Sequence, residues 1–215
     1  LERPRYFTGA WPHEGVDFAG QRVGVVGTGS SAIQAIPVIA EQADQLTVFQ
    51  RTPNFSVPAH NRPLDPDFVA GFKQRYPEHR RLHKLGLASG FGDLAVEPTE
   101  FVPLMESALE ADDATFMARC EEAWRTGGAS FLRIAMDVSL DERANRRVAD
   151  FVHGKIRELV SDPETAETLC PRSHPIGTKR ICVDTGYFET YNRDNVRLVD
   201  LQKTPIERVT TNGVQ

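Results

Sequence analysis

Apolar positions cluster over Gln21–Val26, where Val23, Val25 and Val26 are β-branched and Gly27 ends the run. A short apolar run closed by glycine predicts a buried strand. Ile33, Ile36, Ile39 and Ala40 then recur at helical spacing, which predicts a helix over 30–43. Pro37 lies inside that pattern. A proline in a helix interior costs about 3 kcal/mol, so a kink or break is expected there. Leu46–Phe49 is a second apolar run, stopped by Gln50-Arg51-Thr52-Pro53. Strand, turn, helix and strand within roughly 30 residues form the first half of a doubly wound α/β unit.

After Asn61 the pattern changes: residues 65–170 carry few strand signals and many helical ones. Asp65-Pro66 reads as an N-cap with proline in the first turn. Thr99-Glu100 opens a helical run with Phe101, Leu104, Met105, Ala108 and Leu109. Asp113–Trp124, Leu140–Val160 and a short stretch opened by Asp162-Pro163-Glu164 continue in the same way, while 86–93 reads as a flexible loop. Strand signals return at Arg180–Val183 and Val196–Val199. The predicted fold class is α/β, a Rossmann-like doubly wound sheet that is discontinuous and interrupted by an α-helical insertion. Segments 1–64 and 175–215 form the sheet domain, and 65–174 the insertion.

Composition narrows the function. Lys plus Arg is 25 and Asp plus Glu 30, a net charge of −5, so nucleic acid is not bound through bulk charge. No apolar run approaches the roughly 18 residues of a membrane span. Leu1-Glu2-Arg3-Pro4-Arg5 is not a signal peptide. Three widely spaced cysteines, Cys120, Cys170 and Cys182, argue against a disulfide framework and fit a reducing cytoplasm. The chain lacks an initiator Met, and Asn212-Gly213 is a hairpin signal whose return strand is expected beyond Gln215. Both features suggest part of a longer protein.

Gly27-Thr28-Gly29-Ser30-Ser31-Ala32 matches GxGxx[GA] between a strand and a helix. Gly27 permits a tight turn, Gly29 lets the backbone approach a pyrophosphate, and Ala32 allows close helix–strand packing. Free N–H groups and the positive helix end then face the phosphates. The bland alternative is a glycine turn without a ligand. Where a free ribose 2′-hydroxyl calls for Asp or Glu, the second strand ends in Gln50-Arg51-Thr52. Arg51 can clasp a 2′-phosphate and Thr52 can add a donor, which favours NADP(H) over NAD(H). Lys179-Arg180, before the returning strand, is a cofactor contact or equally an ordinary surface pair.

No metal site is predicted. His79 and His83 stand at i, i+4, but Arg80, Arg81 and Lys84 surround them. Ser30 and Ser31 are not in GxSxG, so nothing supports a serine hydrolase. Trp124 reads as a core anchor.

The segment Val16–Ser31 resembles Baeyer–Villiger monooxygenases, which are class B flavin monooxygenases. So do Leu46–Ala59, Gly177-Thr178-Lys179-Arg180 and Tyr191–Asp200, in matching order and spacing. The similarity covers nearly the whole chain, nearest the phenylacetone monooxygenase branch. It implies an enzyme with separate FAD and NADPH domains, of which this chain holds the NADPH-binding and helical-insertion part. NADPH reduces FAD, O2 reacts with the reduced flavin, and one oxygen is inserted beside a ketone carbonyl. Arg180 matches the family's catalytic arginine. Lys179, Arg51 and Thr52 match its 2′-phosphate contacts, and Thr28, Ser30, Ser31 and Gln34 fall in its pyrophosphate turn with Gly27 and Gly29. Two departures stand out. The family fingerprint Phe-x-Gly, three residues, His, three residues, Trp-Pro meets Phe7-Thr8-Gly9 followed directly by Ala10-Trp11-Pro12, so its His segment reads as absent. Only one GxGxx[GA] is present, so the FAD-binding part is expected elsewhere, as this chain's partner. Alternatives are an N- or S-oxygenating flavin monooxygenase, and a flavin-free NADP(H)-binding module.

Overall fold

A computed structural model describes residues 4–87, 106–211 and 213–215. The helical run expected from Thr99 to Met105 and most of the 86–93 loop lie outside the described residues. The chain divides into two compact units, Leu1–His60 with Glu106–Gln215, and Asn61–Met105.

The first unit is built on a parallel sheet. β1 (Arg22–Val26) leads through a turn into α1 (Ser30–Gln42), which returns the chain to β2 (Gln45–Gln50). β2 pairs in parallel with β1 and, on its other side, with β5 (Val196–Asp200). Ile33, Ile36, Ile39 and Ala40 of α1 are buried in one core with Leu46 and Val48 of β2. Pro37 sits inside α1, yet the helix runs unbroken from Ser30 to Gln42. Burial of the apolar stripe on both sides of Pro37 offsets the lost hydrogen bond. β1 is less buried than its valines predict, with Val26 64% exposed. It lies at the sheet edge, and Arg22, Gly24 and Val26 face away from the covered side. Gly24 fits there because a Cβ would stand 3.3 Å from the Phe49 ring.

A second parallel pair joins β3 (Ser56–Pro58) to β4 (Cys182–Asp184). The buried Ser56 hydroxyl donates to the Asp184 carboxylate, whose other oxygen accepts from Tyr187 N at 3.0 Å. Burial raises the Asp184 carboxyl above its ordinary range.

Four helices start with an Asp side chain accepting a first-turn amide, as expected for Asp65 and Asp162 and without such an expectation for the other two. α2 (Pro66–Gln74) is capped by Asp65, and α4 (Asp113–Thr126) by Asp112. Asp141 caps α5 (Glu142–Leu159), and Asp162 caps α6 (Pro163–Leu169). Such caps contribute about 1 kcal/mol apiece. In the second unit α2 is followed by α3 (Tyr76–Leu87), and Phe72 stacks on His79 with ring centroids 4.4 Å apart. Ala108 is buried but lies in a turn rather than a helix. Trp124 packs edge-on to Phe131 and Phe151, each at 6.1 Å, an anchor of the first unit's core as its sequence context predicts.

α5 carries the buried polar residue that fixes the chain's return. Asn145 Nδ2 donates to the carbonyls of Val138 (2.9 Å) and Ile176 (2.8 Å), and its Oδ1 accepts from Ile176 N at 3.0 Å. At the C-terminal end β6 (Val209–Thr210) and β7 (Gly213–Val214) form an antiparallel pair. The return arm expected beyond Gln215 is therefore within the chain: Gly213, at φ +140°, already belongs to it, and Gln215 N donates to Arg208 O at 3.0 Å.

Ile36→Ala, at a fully buried site, should lower the unfolding free energy by about 2–5 kcal/mol in denaturant titrations. His153 is buried, and burial is the leading cause that holds its imidazole below the usual pKa. Below pH 6.5 the unfolded state therefore binds the extra proton first, and stability should fall as pH drops from there toward the depressed folded value. His153→Gln should flatten that acid limb, by up to about 1.4 kcal/mol per pH unit, in urea melts between pH 5 and 7.

Candidate dinucleotide-binding site

The turn between β1 and α1 is held from three directions. Gly27 adopts φ +97°, which favours glycine, and its N–H donates to Phe49 O at 2.8 Å. Thr28 is buried, and its hydroxyl donates to Thr52 O at 3.1 Å, tying the turn to the end of β2. Gly29 is the N-cap of α1, extended at φ −82° and ψ 176°, with no side-chain cap. The first turn of α1 contains no acidic residue. Its amides and the positive helix end are thus left without a charged or capping partner from their own helix, the requirement for receiving an anion.

These residues open on a cavity of about 410 Å³. Of the residues predicted from sequence, Gly27, Thr28, Gly29, Arg51, Thr52 and Lys179 line it. Arg51 and Lys179 are exposed, and neither is in an ion pair among the described residues. Arg51 is anchored by its backbone: its carbonyl accepts from Gln202 Nε2 at 2.8 Å. Lys179 follows the turn at Gly177, where φ is +87° and a Cβ would crowd Leu132 at 3.3 Å. Ser30, Ser31, Gln34 and Arg180 do not line this cavity. Gln34 Nε2 donates instead to Val183 O at 3.2 Å, and Ser30 hydrogen-bonds the Cys182 thiol. Of this adjacent pair, Lys179 lines the cavity and Arg180 does not.

Sequence reading missed four lining residues, Val26, Phe49, Asn54 and Leu201. Asn54 stands two residues past Thr52 and donates weakly to the Cys182 sulfur at 3.5 Å. Leu201 is there because Asp200 pairs with Gln50 and Leu201 N donates to Gln50 O at 2.7 Å, which sets the residue after β5 beside Arg51. Only the strand order would have revealed it. No cluster of three or more His, Cys, Asp or Glu residues able to hold a metal exists among the described residues, and no described helix is long and apolar enough to cross a membrane.

No protein-family model matches the chain. Individual proteins do. A 2-oxo-Δ3-4,5,5-trimethylcyclopentenylacetyl-CoA monooxygenase of Pseudomonas putida is 40% identical over 217 residues, covering 98% of this chain and 38% of its own length. A Baeyer–Villiger monooxygenase of Pseudooceanicola batsensis is 38% identical, covering 97% of this chain and 36% of its own. A phenazine N-monooxygenase of Lysobacter antibioticus is 37% identical, over 96% and 36%. An oxidized steroid monooxygenase bound to NADP superposes with a TM-score of 0.83 at 48% identity, over 96% of this chain and 38% of that one. The parallel sheet, the uncapped glycine turn and these neighbours define an α/β segment whose fold is that of the corresponding part of NADP-bound monooxygenases. Over nearly its whole length the chain is similar to Baeyer–Villiger and related monooxygenases, and it spans rather more than a third of the length of the relatives it matches.

The two glycines should separate folding from binding. Gly27→Ala forces a side chain into a positive-φ conformation and should destabilise the protein by about 1–3 kcal/mol. Gly29 has a negative φ and open space where a methyl group would stand, so Gly29→Ala should change stability by less than about 0.5 kcal/mol. It should nevertheless weaken dinucleotide binding, because the methyl group occupies the ligand's path. Thermal melts beside NADPH titrations read both effects.

Proposed function

We propose that this chain is the NADP(H)-binding part of a Baeyer–Villiger monooxygenase. The observation that carries the reading is the convergence of Arg51 and Lys179, from opposite ends of the sequence, on a cavity floored by the Gly27–Gly29 turn. The turn receives the pyrophosphate through backbone N–H groups. Arg51, Thr52 and Lys179 take the 2′-phosphate, with Arg51 held by the Gln202 contact to its carbonyl. Segments 1–64 and 175–215 serve this site, and 65–174 is the helical insertion.

The whole protein acts on a ketone and O2, with FAD held by the remaining part of the enzyme, and yields an ester or lactone. Bound FAD supplies the oxygen activation; the described residues bind and orient the nicotinamide cofactor that reduces it. Arg180, exposed and outside the cavity that takes the 2′-phosphate, is the residue assigned to the reacting end on the family resemblance, its guanidinium offering several donors. Three free, buried cysteines fit a cytoplasmic location. An N-oxygenating enzyme is the second reading, favoured by the likeness to the Lysobacter phenazine N-monooxygenase.

Counted backward from Trp11-Pro12, the family fingerprint keeps only its Trp-Pro end, since its Gly falls on Arg3 and its Phe on Leu1. Three residues separate Trp11 from Phe7, the spacing between the fingerprint's Trp and His. This count sets Phe7 at the position of the fingerprint's His, a substitution that is an alternative to a segment absent after Gly9.

Arg51→Ala removes a charge-assisted contact of about 1.5–3 kcal/mol, so NADPH affinity should fall roughly 10- to 150-fold while NADH affinity barely changes. Equal losses for both cofactors in fluorescence titrations would contradict the assignment. In the complete enzyme Lys179→Ala should chiefly raise KM for NADPH. Arg180→Ala should still allow flavin reduction but cut oxygenation about 10²–10³-fold in stopped-flow measurements.

A further inference from the structure

Asn145, buried on α5, does not line the dinucleotide cavity, yet it holds the segment that reaches it. Only the amide oxygen can accept from Ile176 N, so that contact fixes the orientation of the side chain. Both Nδ2 hydrogens are then committed, one to Val138 O and one to Ile176 O. Ile176 is itself buried, so its two backbone groups depend on this one side chain where water does not replace it.

Lys179 follows three residues later, and the chain between has little slack. Gly177 adopts φ +87°, with Leu132 Cδ1 3.3 Å from where a Cβ would stand. Thr178 closes the turn, its N–H and hydroxyl both donating to Pro175 O at 3.3 and 2.8 Å. Of Ile176–Arg180, Lys179 alone lines the cavity. Where Ile176 sits therefore decides where Lys179 emerges.

We propose that Asn145 is a positioning residue for cofactor choice: by gripping both backbone groups of Ile176 it keeps Lys179 at the 2′-phosphate, and so sets the preference for NADP(H) over NAD(H). This rests on the assignment of Lys179 to that phosphate. A lysine ammonium acts as a point charge, so its worth depends on where it stands. NAD(H) carries a hydroxyl in place of the phosphate, so displacing Lys179 costs it little. A loosened Ile176 thus penalises one cofactor and spares the other, which a general loss of packing does not do.

NADP+ and NAD+ titrated by calorimetry into the full 215-residue chain test this, with amide hydrogen exchange read on the ligand-free protein. Asn145→Ala should expose the Ile176 amide to exchange, weaken NADP+ about tenfold and change NAD+ by less than about twofold. Gly177→Ala strains the same tether from its other end without unpairing a buried group, so it decides the matter if Asn145→Ala fails to fold; it should weaken NADP+ at least about threefold and spare NAD+. In a Lys179→Ala background neither change should cost NADP+ more than about twofold further, because the group they position is gone. Val148→Ala, one turn along α5, removes core packing but none of these hydrogen bonds and should leave the ratio of the two affinities unchanged. Equal losses for both cofactors, unchanged NADP+ binding in both tether variants, or a further tenfold loss without Lys179 would each overturn the proposal. A Lys179→Ala chain that binds NADP+ as the wild type does would instead overturn the 2′-phosphate assignment, and the proposal with it.

Discussion

Parallel pairing is the constraint from which the rest follows. β2 is paired in parallel on both sides, and its second partner, β5, arrives only after the helical stretch has been traversed. A parallel neighbour cannot be reached by a tight turn, so the chain must travel and come back. Closing so long an excursion costs entropy that grows only slowly with its length, but the returning segment still has to be held. Buried and half-buried side-chain amides hold it. Asn195 Nδ2 donates to the carbonyls of Ala40 (3.0 Å) and Ala43 (2.8 Å), and Asn195 O accepts from Leu46 N at 2.7 Å. Gln50, buried at the end of β2, donates to Thr168 O at 2.8 Å, and Asn145 grips Ile176 through both its backbone groups. Each contact satisfies a carbonyl or amide that the excursion would otherwise bury unpaired.

The geometry of return also explains why a mildly acidic chain carries a basic site. Arg51 leaves β2 at the same end where Gly27 leaves β1, because parallel strands deliver their C-terminal ends to one side. The segment fixed by Asn145 then brings Lys179 to that side from the far end of the sequence. Two cations without an ion pair among the described residues, beside an uncompensated helix end, give a local positive field that the net charge of −5 does not reveal.

Much of this was legible in the residues. The β1–α1–β2 unit announced itself through β-branched runs and isoleucines at helical spacing, and the starts of α2 and α6 through Asp65 and Asp162, because these signals are local. What depended on tertiary contact was not. Pro37 reads as a break until its buried neighbours are counted. Val26 reads as core until β1 is seen at the sheet edge. Leu201 has no signature of its own, and the grip of Asn145 on Ile176 unites two segments with nothing in common along the chain. Ser30 and Gln34 share a motif with Gly27, yet their side chains serve the packing of α1 against β4.

The edge position of β1 has a consequence for the chain in solution. Among the described residues β1 pairs only with β2, so one row of its backbone donors and acceptors faces outward beside the exposed Val26. Such a row is a template for a second strand, and at low concentration water fills it. Self-association through that edge rises with protein concentration. Dilution is therefore expected to favour the monomer over edge-paired species when the isolated chain is refolded.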